Sequence, residues 1–333
     1  MAAGNAPRGP GGPATTPGPL VAFGHGATPD ARFPQCVLDD LEAAGLDRAV
    51  SDARKSRWSK ILGTVRDADG TAFWLKVATH AYGRRLLHRE ASGYRELAPL
   101  LAPYFRTPQL SVLRDDDQAT ALLLTEVAGR RSRVWQFPEK TVALLAGADT
   151  ESDFGRWAGP VIEPLPSTVL RDHLANVARS FPFDEPLVLG PSHGDFSSWN
   201  LLNGRSGPPA ILDFEYFAPE RPLLFDDLHW FVGFLARRAI RAGIAALPAA
   251  LVRGLPEFLW NVILRHRYRR EWPMLERPRA VRVYLAAYLL AQSARYLEEQ
   301  GIADAAALVG HRDYLMRGKL IGLFVDALGV LAR

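Results

Sequence analysis

The feature that most constrains this chain is a stretch in its middle, residues 192–217, where polar side chains interrupt an otherwise apolar sequence. Asp195 is followed five residues later by Asn200, and Asp213 comes thirteen residues after that, directly behind the apolar run Ala-Ile-Leu. Carboxylates are rarely buried in proteins unless they are paired or coordinate a cation. This spacing therefore indicates a functional site within apolar surroundings.

The local structure around these residues follows from the pattern of turns and apolar runs. A segment rich in turn-forming residues, 203–209, separates two short apolar runs, which predicts a β-hairpin. Asp195 and Asn200 then lie on the loop before the hairpin, and Asp213 ends the returning strand. Amide and carboxylate oxygens suit Mg²⁺, which keeps few protein ligands and binds substrate phosphates. A further carboxylate nearby can accept the proton of an attacking hydroxyl group.

The order of these residues resembles the catalytic core of the aminoglycoside phosphotransferase and choline kinase-like family, relatives of the protein kinases. His193-Gly194-Asp195 stands where protein kinases have His-Arg-Asp, and Asp-Phe-Glu, starting at Asp213, stands where they have Asp-Phe-Gly. The resemblance implies that Asp195 is the catalytic base and that Asn200 and Asp213 bind the metal. It also implies ATP, or another nucleoside triphosphate, and Mg²⁺ as cofactors. A buried loop with purely structural carboxylates is the alternative.

The same resemblance implies an α+β fold, bilobal and protein-kinase-like, with a small antiparallel-sheet N-lobe and a mostly helical C-lobe. The length of 333 residues suits two lobes. We expect a disordered tail rich in Gly and Pro at 1–32, a nucleotide-binding lobe at 33–127, and a catalytic and acceptor-binding lobe at 128–333.

A lysine in the first half of the chain is the candidate for binding nucleotide phosphates. Two β-rich runs around the Asp-Gly turn at 69–70 predict a hairpin, and alternation places Lys76 on the less apolar face of its second strand. A helix predicted over 84–97 carries Glu90. By resemblance to kinases, Lys76 and Glu90 form the ion pair that anchors ATP. Glu96 is the competing partner, and a lysine at a sheet edge is the structural alternative.

A second hairpin is predicted around the polar turn at 115–118, and its returning strand ends at Glu126 and Val127. Kinase-like folds cross between lobes at this place and bind adenine through backbone groups. The resemblance therefore assigns Glu126 and Val127 to nucleotide binding, with Val127 as the hinge residue.

One feature of protein kinases is missing from the sequence. No Gly-x-Gly-x-x-Gly precedes Lys76, and the only glycines nearby are Gly63 and Gly70. A glycine-rich lid over the phosphates is therefore not predicted, and the sequence does not indicate which backbone amides would cover them.

A strongly apolar helix is expected after Asp213, beginning near residue 222. The family carries an Asp-Leu pair here whose carboxylate supports the catalytic loop, and the resemblance assigns this role to Asp227. Asp226 could instead cap the start of the helix.

The C-terminal third is expected to be helical, with apolar stretches at 247–264, 281–296 and 314–331, and it is basic. From Phe231 to the end there are sixteen Lys and Arg against eight Asp and Glu, most densely at 265–270. Because this part of the family forms the acceptor pocket, a polycationic acceptor is disfavoured. A small-molecule hydroxyl acceptor that is neutral or anionic fits better, and solvated surface arginines are the alternative.

Composition limits the remaining possibilities. A formal charge of +4 and the lack of a recognition motif do not argue for nucleic acid. No sufficiently long apolar run predicts a membrane span, and 1–20 does not resemble a secretory signal. The single cysteine, Cys36, excludes an intramolecular disulfide and suits a cytoplasmic protein. A catalytically weak nucleotide-binding or partner-binding module remains the alternative to an enzyme.

Overall fold

The structure is a computed structural model of the chain. It describes residues 32–55, 60–131, 150–165, 168–181, 187–204, 207–244, 247–260, 278–300 and 312–333. The expected tail, except for its last residue, and the basic cluster at 265–270 lie outside the described residues.

A five-stranded antiparallel sheet forms the N-terminal part of the structure. Its strands are β1 (Ser51–Lys55), β2 (Lys60–Arg66), β3 (Ala72–Ala78), β4 (Leu110–Asp115) and β5 (Thr120–Thr125). They lie in the order β1-β2-β3-β5-β4, so β3 is central. The predicted hairpins β2–β3 and β4–β5 are both confirmed.

Three helices accompany this sheet: α1 (Gln35–Ala43), α2 (Ala81–Glu96) and α3 (Ala98–Leu101). Alternation along β3 separates the two faces of the sheet. Leu75 and Val77 pack in one cluster with residues of α1, and Ala78 packs in another with residues of α2. Lys76 therefore leaves the sheet on the side of α2, as its strand pattern predicts.

The C-terminal part is mostly helical. Its helices are α4 (Phe154–Ile162), α5 (Thr168–Arg179), α6 (Phe225–Arg241), α7 (Ala249–Leu259), α8 (Pro278–Gln300) and α9 (Arg312–Leu331). The largest core cluster lies among them, and the Tyr284 hydroxyl of α8 accepts a hydrogen bond of 2.9 Å from the Val188 amide. The predicted combination of an antiparallel-sheet part and a helical part is confirmed. No helix in the described ranges has both the length and the hydropathy needed to cross a bilayer.

Short strands flank the loops of the central stretch, residues 192–217. They are β6 (Arg130–Arg131), β7 (Thr150–Ser152), β8 (Leu187–Ser192), β9 (Leu201–Asn203), β10 (Ala210–Ile211) and β11 (Ala218–Pro222). They form two three-stranded sheets, in the orders β10-β9-β6 and β11-β8-β7. The β9–β10 pair is the hairpin predicted between Asn200 and Asp213.

The two parts meet through one aromatic cluster. Tyr94 of α2 packs edge-on against Phe214, with ring centroids 4.7 Å apart. A Cβ added to Gly93 would lie 2.6 Å from the Cβ of Phe214, so only glycine permits this approach. This contact places the residues that follow β10 against the sheet, next to Lys76.

Candidate active site

Lys76 of β3 joins two carboxylates from different parts of the chain. Its Nζ donates to Glu90 Oε1 at 2.6 Å and to Asp213 Oδ1 at 2.8 Å. Glu90 is completely buried, on the face of α2 that packs against the sheet, whereas Glu96 is exposed. Of the two glutamates that the sequence left open, Glu90 is the one beside Lys76.

The charges of this cluster depend on one another. Burial by itself lowers the pKa of Lys76, but the carboxylates of Asp213 and Glu90 outweigh it and raise that pKa above its ordinary value. Burial works to raise the pKa of Asp213, yet Lys76 keeps it below its ordinary value. Burial also raises the pKa of Glu90, although its short contact with the ammonium favours the ionised pair. We therefore treat all three groups as charged at neutral pH.

The backbone at Asp213 is unusual. Its φ of +66° lies in the left-handed region, which few residues other than glycine adopt, although Asp tolerates it better than most. The Asp213 amide donates to the Tyr94 hydroxyl at 3.4 Å. Strained backbone of this kind is commonest at functional sites, where the surrounding structure maintains it.

A glycine and a histidine shape the loop that carries Asp195. Gly194 has a φ of +81°, and a Cβ there would collide with the carbonyl oxygen of Tyr216. His193 donates from Nε2 to the Leu212 carbonyl at 2.8 Å and accepts at Nδ1 from the Asp195 amide at 3.2 Å. These contacts explain why glycine stands where protein kinases have arginine, and they fix the loop relative to Asp213.

The support of this loop comes from Asp226, at the start of α6. Its carboxylate accepts hydrogen bonds of 2.8 Å from the amides of both His193 and Gly194. The assignment of this role to Asp227 was wrong by one residue, because successive residues lie about 100° apart around a helix. Asp226 also does not cap α6, whose N-cap position is Leu224 without a side-chain hydrogen bond.

Asp195 has partners on both carboxylate oxygens. Asn200 Nδ2 donates to Asp195 Oδ2 at 3.1 Å and to its carbonyl at 2.9 Å. The other oxygen, Oδ1, lies 3.1 Å from His229 Nε2 and 3.3 Å from Arg295 Nη2. His229 belongs to α6 and Arg295 to α8, so two helices of the C-terminal part hold the carboxylate in place.

The charge of Asp195 follows from these partners. Burial by itself would raise the pKa of Asp195, but Arg295, followed by His229, holds it well below its usual range. Burial lowers the pKa of His229, so this imidazole is neutral at pH 7. Arg295 also donates to Glu299 at 2.9 Å and lies over the Tyr216 ring, 3.2 Å from its centroid. Asp195 is therefore ionised and held in one orientation.

Sequence reasoning missed a second lysine. Lys60, at the start of β2, is buried and contacts the carboxylate of Glu215. Burial lowers the pKa of Lys60 to about 8. Strand alternation could have placed it, since Lys60 pairs with Ala78, a residue on the same face of β3 as Lys76.

The oxygens available to a divalent cation are those of Asn200 and Asp213. Asn200 uses its amide nitrogen on Asp195, and Lys76 binds only Oδ1 of Asp213, so one amide oxygen and one carboxylate oxygen remain for a metal. The described residues contain no group of three or more His, Cys, Asp or Glu side chains that could hold a metal ion. This sparse donor set fits Mg²⁺, which takes most of its ligands from phosphate and water.

Glu126 and Val127 lie in the extended segment between β5 and β6. The Glu126 amide donates to the Ala72 carbonyl at 3.3 Å, and the Ala128 carbonyl accepts from Arg106 at 3.0 Å. Between these two contacts, the backbone of Val127 makes no hydrogen bond to any part of the chain that the structure describes. Its amide and carbonyl are the backbone groups that the resemblance assigned to nucleotide binding.

Comparison with known proteins gives structural neighbours only. No family model and no curated protein matches the chain. An aminoglycoside phosphotransferase from Alicyclobacillus acidocaldarius is 15% identical, with 89% of this chain and 95% of that chain covered and a TM-score of 0.40. The GDP complex of aminoglycoside 2'-phosphotransferase-IIIa is 15% identical, with 85% and 96% covered and a TM-score of 0.49.

An amicoumacin kinase in complex with AMP-PNP, Ca²⁺ and amicoumacin is 13% identical, with 87% of this chain and 94% of that chain covered and a TM-score of 0.48. The solved structures that this chain resembles are thus aminoglycoside phosphotransferases and other small-molecule kinases, the class that its central motifs resemble.

Proposed function

We propose that this protein is an ATP-dependent phosphotransferase that transfers the γ-phosphate to a hydroxyl group of a small molecule. The observation that supports it most is the position of the Lys76 ammonium, which lies between Glu90 and Asp213 at bonding distance to both. Kinases bind nucleotide phosphates with a buried lysine that lies between two carboxylates, one from a helix that positions the lysine and one at the end of a strand. In this proposal residues 33–127 bind the nucleotide, and residues 128–333 supply catalysis and the acceptor site.

Each residue of the cluster has a role set by its charge and position. Lys76 offsets the negative charge of the phosphates, and Glu90 keeps its ammonium in place. Asn200 and Asp213 would hold Mg²⁺, which neutralises charge on the phosphate oxygens when it is bound. Val127, with Glu126 beside it, would offer backbone groups to the base of the nucleotide.

The transfer itself requires little covalent chemistry from the protein. The acceptor oxygen forms a bond to the γ-phosphorus, the bond from that phosphorus to the departing ADP breaks, and Asp195 accepts the hydroxyl proton. Because its pKa is held low, Asp195 is a weak base. It therefore contributes in two ways, by orienting the hydroxyl for in-line attack and by accepting its proton as the bond to phosphorus forms.

The surroundings of Asp195 favour acceptors without several positive charges. The Arg295 guanidinium lies 3.3 Å from the Asp195 carboxylate, and Arg237 is also close enough to influence its charge. A polycationic acceptor would have to approach these arginines in a partly desolvated cleft, where repulsion between like charges is strong. Neutral sugars and polyols, or acceptors that carry phosphate or carboxylate, are the proposed substrates.

Acceptor-dependent turnover tests this function directly. Purified protein is incubated with Mg²⁺, labelled ATP or GTP, and separate pools of neutral, anionic and polycationic hydroxyl compounds. We expect labelled product from a neutral or anionic pool and none from the Asp195→Asn variant. Binding of nucleotide without turnover in any pool would instead favour a nucleotide-binding module that lacks transfer activity.

A further inference from the structure

Lys60 lies on the same side of the sheet as Lys76. In the β2–β3 ladder Leu62 pairs with Lys76 and Lys60 pairs with Ala78. Paired residues of antiparallel strands project from the same face of the sheet, and so do residues two apart along one strand. The Lys60 and Lys76 side chains therefore leave adjacent strands on the same side, separated by one residue pair of the ladder.

The end of the Lys60 side chain lies among the groups that the proposed function places around the phosphates. Its Nζ contacts Glu215, which follows Asp213 by two residues. Asp213, Lys76, Glu90 and Asp195 are also close enough to influence its charge. Only 5% of Lys60 is exposed, so this ammonium belongs to the interior of the cleft.

A purely structural ion pair between Lys60 and Glu215 explains these facts poorly. Taking two charges out of water costs about as much free energy as their attraction returns, so a buried pair is a weak source of stability. The same sheet already contacts the segment after β10 through Lys76 and Asp213. Lys60 is thus not needed to join the two segments, and a bound anion could replace Glu215 as its partner.

The sequence of the connection before Lys60 is consistent with such a role. Its four residues in sequence, Ser-Arg-Trp-Ser at 56–59, include no glycine. Kinases cover the nucleotide phosphates at this point of the sheet with the backbone of a glycine-rich loop. In this chain a lysine stands at the first position of β2, directly after that connection.

We propose that Lys60 is a second phosphate-binding residue, which leaves Glu215 and binds the terminal phosphate of the nucleoside triphosphate. This proposal rests on the proposed function and goes beyond it, because it assigns the covering of the terminal phosphate to a side chain. If Lys60 contacts only the terminal phosphate, its loss should weaken binding of a triphosphate but not of a diphosphate. If Lys60 only forms a structural ion pair, its loss should affect the two nucleotides equally.

The test is calorimetric binding of Mg²⁺ with AMP-PNP and of Mg²⁺ with ADP to the full chain. We expect Lys60→Met to weaken AMP-PNP about tenfold or more, as for a hydrogen bond between charged groups, and ADP by less than about threefold. Lys55→Met, at an exposed lysine of the neighbouring strand β1, is the matched control and should change neither. Retained ADP binding also shows that the variant is folded.

Because Lys60→Met leaves Glu215 without its partner, the double variant Lys60→Met, Glu215→Gln repeats the measurement with both charges of the pair removed. Equal changes for the two nucleotides, or no change for either, in both variants would overturn the role of Lys60. If the wild-type protein binds neither nucleotide, the proposed function fails as well. If Lys76→Met abolishes binding while Lys60→Met leaves the ratio of the two affinities unchanged, only the role of Lys60 fails.

Discussion

The two carboxylates at the centre of the molecule are held in different ways. Asp213 contacts Lys76, a side chain with a flexible stem whose ammonium can move to a ligand. Asp195 contacts a guanidinium and an imidazole that are themselves fixed, since Arg295 bonds Glu299 and His229 contacts Gln292. The nucleotide side is thus built from exchangeable ion pairs, and the acceptor side from a rigid network.

This difference indicates how the two sides divide the work. Ion pairs around a phosphate site can open when an anion arrives, so substitutions there should change nucleotide affinity. A rigidly oriented base contributes after both substrates are bound, so substitutions there should change turnover. Variants of each side can therefore test this division.

The largest effect is expected at the base. Asp195→Asn keeps the shape of the side chain but cannot accept the hydroxyl proton, and it should lower kcat by about 10²-fold or more. Nucleotide affinity should change much less than kcat, because Asp195 reaches the metal site only through its hydrogen bond from Asn200, which the amide oxygen of asparagine can still accept. Steady-state kinetics and calorimetry give both values, and near-native turnover would remove Asp195 from this role.

A smaller effect, on a different quantity, is expected on the nucleotide side. Lys76→Met removes the ammonium shared by Glu90 and Asp213 and should weaken binding of Mg²⁺ with ATP by about 10- to 100-fold. The exposed Lys55→Met variant serves as control. Unchanged affinity in calorimetry, with a normal thermal unfolding transition, would show that Lys76 does not bind phosphate.

The next effect concerns the pH dependence of catalysis. A base must be ionised to act, so activity is lost as pH falls through its pKa, and for Asp195 this limb lies below the ordinary range for aspartate. Arg295→Met should raise that pKa and move the acid limb of kcat/KM to higher pH, with turnover at neutral pH about tenfold lower. Arg238→Met, on the exposed side of α6, should leave the profile in place. An unshifted limb would contradict the role of Arg295.

The smallest effect on function is expected at Asp226, which supports the loop from α6. Asp226→Asn weakens the acceptor for the His193 and Gly194 amides and should lower the free energy of unfolding by about 1–3 kcal/mol. Nucleotide affinity should change little, because the contact lies on the acceptor side. Chemical denaturation measures the loss, and no loss would mean that these hydrogen bonds do not stabilise the loop.

How much could be predicted from the sequence depends on the distance between partners along the chain. Lys76 and Glu90 are 14 residues apart, on a strand and the helix that follows it, so alternation placed the lysine and the kinase resemblance named the glutamate, with Glu96 left open. Arg295 is 100 residues from Asp195 and Glu215 is 155 from Lys60, and no local pattern connects either pair. These two pairs became visible only in the folded structure.

The error at α6 has a different cause. The resemblance assigned the supporting carboxylate to Asp227 because Asp227 precedes Leu228 as in the Asp-Leu pair of the family, but two aspartates stand side by side at this point. Successive residues lie about 100° apart around a helix, so only the folded structure decides between Asp226 and Asp227.

The most direct test of the proposed phosphotransferase site is a crystal structure of the protein with AMP-PNP and Mn²⁺, in which the anomalous signal locates the metal. We expect a metal bound by Asn200 and Asp213, with the phosphates against Lys76 and the terminal phosphate facing Asp195. A nucleotide bound elsewhere, or a metal that contacts neither Asn200 nor Asp213, would contradict it.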